Sequence, residues 1–99
     1  MPKDHPPLVS IVTLNWNTTA VTCDFLRSVK EQVSYPHIEV IIVDNASATD
    51  PTAEFLAVMP EVKVIRNASN LGFAAGNNVG IRAGKGDYFF IVNNDTEFT

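Results

Sequence analysis

Asn93, Asn94, Asp95, Thr96 and Glu97 follow directly on the apolar run Tyr88 to Val92. Two carboxylates behind two amides supply hard oxygen ligands suited to Mg²⁺ or Mn²⁺, ions that bind through one or two carboxylates plus substrate phosphates. A metal-bridged diphosphate is the chemistry this cluster suggests. Two further polar clusters end apolar runs in the same way: Asn15-Trp16-Asn17, and Asp44-Asn45-Ala46-Ser47. Asn, Asp and Ser are ordinary turn formers at strand ends, but an acid at two of three such tips asks for more. No Cys/His set has zinc spacing, no G-x-G-x-x-G follows the first apolar run, and no G-x-x-x-x-G-K-[ST] occurs. Phosphates would therefore be met by a metal rather than by a glycine cradle.

Seven elements must position these clusters. Leu8 to Leu14 is a near-continuous β-rich run, the type expected of a parallel strand covered on both faces. Asn17, Thr18 or Thr19 can cap a helix whose Val21, Phe25, Leu26, Val29 and Val33 share one face, closing before Tyr35-Pro36. Ile38 to Asp44 is a second strand. Asp50-Pro51 opens a short helix through Phe55, Leu56 and Met59, with Asp50 as the cap. Val62 to Asn67 is a third strand whose Lys63 and Arg66 suit an exposed edge. A helix from Phe73 to Ala83 closes at Gly84 and Gly86, and Asp87 to Val92 is the last strand, whose composition suits cover on both faces but whose outer edge and part of one face should be bare, since only three helices precede it.

Alternating strands and helices imply right-handed crossovers and a parallel sheet, a doubly wound α/β half-domain. Strand order 3-2-1-4 puts the reversal between the first and fourth strands, where ligands of open α/β sheets bind. All three clusters would converge on that crevice. Gly72, Gly76 and Gly80 recur along one side of the third helix, which points to close backbone approach to the sheet or to another helix, their cost repaid either by tight packing or by substrate passing over the helix start at Asn70, Leu71 and Gly72. Asn78 is the expected loop anchor of that helix.

Composition narrows the class. The 99 residues, 45% hydrophobic and 18% charged, suit one small globular domain: a tail over 1–7, in which His5 is a loop residue, and a domain over 8–99. Eleven acids against seven bases give a net charge of -4 without a basic run, so no nucleic-acid partner is expected. One cysteine, Cys23, forms no intrachain disulfide, and the chain starts with no segment resembling a signal peptide. A cytoplasmic setting, with peripheral association at the inner membrane face as an option, is the expectation. The triplets at Asn17, Asn45, Asn67 and Asn94 match glycan acceptors in form only.

The stretches "VSIVTLNWN", "IEVIIVDNASATD", "NLGFAAGNNVGI" and "DYFFIVNNDTE", in this order and spacing, closely resemble the nucleotide-binding half of the inverting family 2 glycosyltransferases of the GT-A fold. The resemblance implies a nucleotide-sugar donor, UDP-, dTDP- or GDP-linked. It also implies an acceptor glycan or lipid-linked glycan, and Mg²⁺ or Mn²⁺ as cofactor. By that resemblance Leu14, Asn15 and Asn17 would line base and ribose, Asp44 would bond the base, and Asn45, Ser47, Gly72, Asn93 and Asn94 would complete the nucleotide site. Asp95 would hold the metal, because "NND" stands where the family has D-x-D. Asn93 replaces the first acid of that motif, a variant resembling the rhamnosyl- and galactofuranosyl-type branch. The base that deprotonates the acceptor would lie beyond Thr99, with Glu97 in a supporting role. Two alternatives stand beside this: a short module that binds nucleotide without turnover, and a nucleotidyltransferase fragment. A bare fourth-strand edge would make the chain a homodimer.

Overall fold

The computed structural model describes residues 6–96. Four parallel strands, β1 (Val9–Asn15), β2 (Ile38–Asp44), β3 (Lys63–Arg66) and β4 (Tyr88–Ile91), form one sheet in the order β3-β2-β1-β4. Three helices make the crossovers: α1 (Thr19–Gln32), α2 (Thr52–Val58) and α3 (Gly72–Ala83). The expected order and reversal between β1 and β4 are those observed.

Strand periodicity sends alternate side chains to opposite faces. Ile11, Val40 and Ile42 meet Phe25, Leu26 and Val29 of α1 and Phe55 of α2, with Met59 and Val62 closing the main core. On the other face Val12, Ile41 and Val43 are covered by α3 through Val79. The α3 layer is thin because its glycines let the backbone down onto the sheet. A methyl group at Gly80 would stand 2.5 Å from Val12 Cγ1 and 3.0 Å from Val43 Cγ2, and one at Gly76 would stand 2.8 Å from Leu14 Cδ2. The close-approach reading of these two glycines is what the structure shows. Gly72 serves differently: its φ of 82° turns the chain into the helix, with open space around it.

Several boundaries shift by a residue. β1 begins at Val9 and includes Asn15, β3 is trimmed to four residues, and α3 starts at Gly72 rather than Phe73. The residue flanking α2 is Pro51, while Asp50 Oδ1 accepts from the Thr52 amide and hydroxyl and so still serves the first turn. Thr18 flanks α1, but its hydroxyl turns to Asn15 instead of capping. Pro7 is tied in, its carbonyl accepting from the Tyr35 hydroxyl; His5 lies outside the described residues.

The expected bare side of β4 extends further than its edge and part of one face: Tyr88, Phe89, Phe90 and Ile91 are all exposed on this edge strand. One expectation is corrected. Asn78 is exposed and anchors nothing, whereas its neighbour Asn77 is the buried residue of the pair. A helix turns by about 100° per residue, so choosing between adjacent asparagines needs the helix phase that Gly76 and Gly80 fix. No helix among the described residues is long and apolar enough to cross a membrane.

Candidate functional site

The carboxyl ends of the four strands are joined by a continuous chain of polar side chains. At β4's exit Asn94 Nδ2 donates to the hydroxyls of Thr18 (2.8 Å) and Thr22 (3.0 Å) at the start of α1. Thr22 Oγ1 donates in turn to Asn15 Oδ1 at 2.6 Å, and Asn15 Nδ2 donates to Asp44 Oδ1 at 2.8 Å. Asp44 Oδ2 accepts from Arg66 Nε at 3.0 Å, at the end of β3. Thr22, Asn15 and Asp44 have no solvent exposure. A buried polar group without a partner costs about 1–3 kcal/mol, and here each of these three finds its partner on another element.

The β2–α2 turn is fastened to the same chain. Ser47 donates its hydroxyl to Asp44 Oδ1 at 2.5 Å and its amide to Oδ2 at 3.1 Å, and its carbonyl accepts from Arg66 Nη2 at 2.7 Å. From the opposite side the Asn17 amide donates to Ser47 Oγ at 2.8 Å, while Asn17 Oδ1 accepts from the Ala48 amide at 2.8 Å. Asn17 (φ 55°) and Ala46 (φ 64°) both sit in the left-handed region. For Ala46 that conformation costs roughly 1 kcal/mol, a strain this mesh of bonds holds in place. Asn45 braces the other side of the site, accepting from Asn67 Nδ2 (2.9 Å) and the Leu71 amide (3.4 Å) and donating to the Gly72 carbonyl (3.1 Å).

Above this mesh lies a cleft of about 370 Å³ lined by Leu14, Trp16, Thr18, Asn45, Asn70, Gly72, Phe73 and Asn94. It contains no charged residue. Trp16 is 54% exposed and Phe73 65%, two aromatic rings on one uncharged cleft. A smaller recess of about 250 Å³ adjoins Asn17, Ser47, Ala48 and Thr49.

The expected site residues therefore divide. Leu14, Asn45, Gly72 and Asn94 line the cleft, and Asn17 and Ser47 line the smaller recess. Asn15 and Asp44 lie beneath the surface. The two oxygens of Asp44 accept four hydrogen bonds from within the fold, the capacity of a carboxylate, and none of its surface is open. Burial pushes its carboxyl up, but the bonds from Ser47, Asn15 and Arg66 outweigh burial and hold it below the usual carboxylate range. Phe73, Thr22 and Arg66 were not among the expected site residues. Phe73 carried a signal, as a large apolar residue on a helix start already placed at the crevice.

Asp95 and Asn93 are exposed where β4 leaves the sheet, in a turn closed by the Thr96 amide on the Asn93 carbonyl at 3.0 Å. Among the described residues no three His, Cys, Asp or Glu side chains converge as a metal cage; Glu97 lies outside them. One exposed carboxylate beside neutral amides fits an ion that arrives with substrate phosphates rather than a resident one.

A four-stranded parallel sheet in this order, with its polar mesh at the switch point, is the α/β architecture of the GT-A fold. Residues 10–99 match the family described as Glycosyl transferase family 2, and the chain belongs to that family. An uncharacterized glycosyltransferase of Haemophilus influenzae is 37% identical over 91 residues, 92% of this chain and 30% of that protein. Glycosyltransferase GlyG of Streptococcus pneumoniae is 33% identical over 92 residues, 89% of this chain and 30% of its own length. The chain thus spans under a third of these relatives. Among solved structures, the mannosyltransferase PcManGT from Pyrobaculum calidifontis, in complex with GDP-Man and Mn²⁺, superposes with a TM-score of 0.79 at 24% identity. That match covers 93% of this chain and 28% of that one. S. aureus TarS 1-349 in complex with UDP gives 0.77 at 24% identity, covering 89% and 27%. These two likenesses show the shared fold.

Proposed function

We propose that this chain is the donor-binding half of a metal-assisted glycosyltransferase that moves a sugar from a nucleotide-sugar to an acceptor hydroxyl. The observation that carries the reading is the uncharged, aromatic-flanked cleft at the β1/β4 switch point, with the carboxylate of Asp95 one residue from the lining Asn94. The nucleoside suits the neutral cleft, where Trp16 and Phe73 offer ring faces and Asn45, Asn70 and Thr18 offer polar groups. Asp95, with Asn93 beside it, is the residue that would hold Mg²⁺ or Mn²⁺. When bound, that ion supplies charge neutralisation for the departing diphosphate. The chain's own contribution is to hold the donor: Asn94 fixes the exit of β4 against α1, and the Asn45 bonds fix the start of α3 beside the cleft.

That one neighbour is bound to UDP and another to GDP-Man and Mn²⁺ supports a nucleotide donor and a divalent ion without choosing the base. The base acting on the acceptor glycan or lipid-linked glycan is proposed to lie beyond Thr99, in keeping with relatives of which this chain spans under a third. The 99 residues alone bind donor without turning it over, in a cytoplasmic setting. Their bare β4 edge, carrying four exposed apolar side chains and no lysine or proline within the strand, pairs with a second copy.

The test is a titration of Trp16 fluorescence, the chain's one tryptophan, with UDP-, dTDP- and GDP-sugars in Mn²⁺ and again in EDTA. Saturable quenching by one donor class, weakened by EDTA, is expected. No response to any of the three overturns the reading.

A further inference from the structure

Thr22 stands at the middle of the polar chain, contributes nothing to the cleft wall, and has no solvent exposure. Its hydroxyl both donates to Asn15 Oδ1 (2.6 Å) and accepts from Asn94 Nδ2 (3.0 Å). On one side it reaches, through Asn15, the Asp44–Ser47 turn that walls the smaller recess. On the other it holds the residue preceding Asp95. A helix needs no hydroxyl at its fourth residue, and threonine is a poorer helix former than alanine or leucine. The side chain is therefore explained by what it bonds, across three elements, rather than by α1.

We propose that Thr22 is a positioning residue that fixes the Asn94–Asp95 exit of β4 relative to the β1 and β2 tips, so that the diphosphate and nucleoside ends of one donor are met in register. The inference rests on the donor-binding reading above. Two of its contacts have partial substitutes, since Thr18 Oγ1 also donates to Asn15 Oδ1 (3.2 Å) and also accepts from Asn94 (2.8 Å). Thr18 is exposed, however, and water competes for its hydroxyl; Thr22 is the member of the pair that is shielded.

The variant is Thr22→Val, which keeps the shape and removes both bonds, with Thr22→Ser restoring the hydroxyl. Binding of UDP and GDP in Mn²⁺ is compared with binding of uridine and guanosine. Thr22→Val is expected to lose roughly three- to tenfold in nucleotide affinity, the scale of one net hydrogen bond, while nucleoside affinity stays within about twofold of wild type. Thr22→Ser recovers most of the loss. Heteronuclear NOE values at the Asn94 and Asp95 amides, read without any nucleotide, should fall in Thr22→Val and return in Thr22→Ser.

Equal loss for nucleoside and nucleotide, or no rescue by serine, makes Thr22 a packing residue and overturns the inference. If wild type binds no nucleotide the functional reading fails by itself. In that case unchanged NOE values in Thr22→Val refute the positioning role as well, and lowered ones uphold Thr22 as the residue that fixes this loop. Should Thr22→Val not fold, Thr22→Ala with the same readings replaces it.

Discussion

Replacing Asp44 by asparagine removes one charge at a position with no exposure, and the four bonds to its carboxylate fix what the change must cost. If the new amide group takes the place of Oδ2, it confronts two donors, the Ser47 amide and Arg66 Nε. If it takes the place of Oδ1, the Ser47 hydroxyl, whose oxygen already accepts from the Asn17 amide and Asn15 Nδ2, loses its own acceptor, while Asn15 Nδ2 keeps only its 3.2 Å bond to Ser47 Oγ. The second arrangement is the cheaper. It leaves one orphaned buried donor, about 1–3 kcal/mol, and turns the Arg66 bond from charged to neutral, about 1 kcal/mol more. Breaking a fully buried ion pair costs roughly 3–5 kcal/mol, and Arg66, whose side chain is 35% exposed, regains part of its hydration. The sum is a destabilisation of about 2–4 kcal/mol, a large share of the ~5–15 kcal/mol a small domain possesses. Urea unfolding at neutral pH followed by circular dichroism measures it. A loss below about 1 kcal/mol would refute the claim that Asp44 is spent inside the fold and return it to the role of a free acceptor for the base.

Gly80→Ala should destabilise by roughly 1–3 kcal/mol, because its methyl would lie 2.5 Å from Val12 and the overpacking exceeds the ~1 kcal/mol gain in helix propensity; a neutral or stabilising result in the same assay contradicts the packing of α3. Burial pushes Glu39 up, but the Ser10 hydroxyl, the Lys85 amide and Lys63 bring it below its ordinary value, as their counterparts do for Asp44. Stability from these two acids is full above the unfolded carboxylate range near pH ~4 and drains as pH falls through the lower folded values. The urea midpoint should therefore drop between about pH 6 and about pH 3, by less in Glu39→Gln, and an equal drop in both proteins dismisses Glu39 as a contributor. Sedimentation of the 99-residue chain should show a dimer that Phe90→Lys, a change at a half-exposed position of β4, converts to monomer; a wild-type monomer at roughly tens of micromolar, inside the μM–mM range where unpaired strand edges associate, rules out edge pairing.

The order of strands and the place of the crevice were readable because apolar period, turn residues and the crossover rule act locally and each polar cluster sits at a strand tip. Gly76 and Gly80 were readable as a spacing that calls for close backbone approach, and the structure makes the sheet, rather than another helix, what they approach. What Asp44 does was not readable. Its saturation depends on Arg66, twenty-two residues away on another strand, and on Asn15 and Ser47 arriving from two different tips. Thr22 was hidden for a related reason: a threonine in the first turns of a helix carries no mark of the bonds it will make across the sheet. The composition of Tyr88 to Ile91 is that of a buried strand, and it was the expected strand order and the number of helices that marked β4 as an edge with a bare side.

The central claim, that Asp95 and the adjoining cleft hold a metal-bridged nucleotide-sugar, is tested most directly by isothermal titration of wild type and Asp95→Asn with the donor that quenches Trp16. Asp95 is exposed and its side chain takes part in no hydrogen bond or ion pair among the described residues, so the variant should fold as the wild type does. The account predicts tighter binding with Mn²⁺ than with EDTA in wild type and no such difference in Asp95→Asn, with nucleoside affinity the same in both. Equal Mn²⁺-dependent affinity in wild type and variant would contradict it.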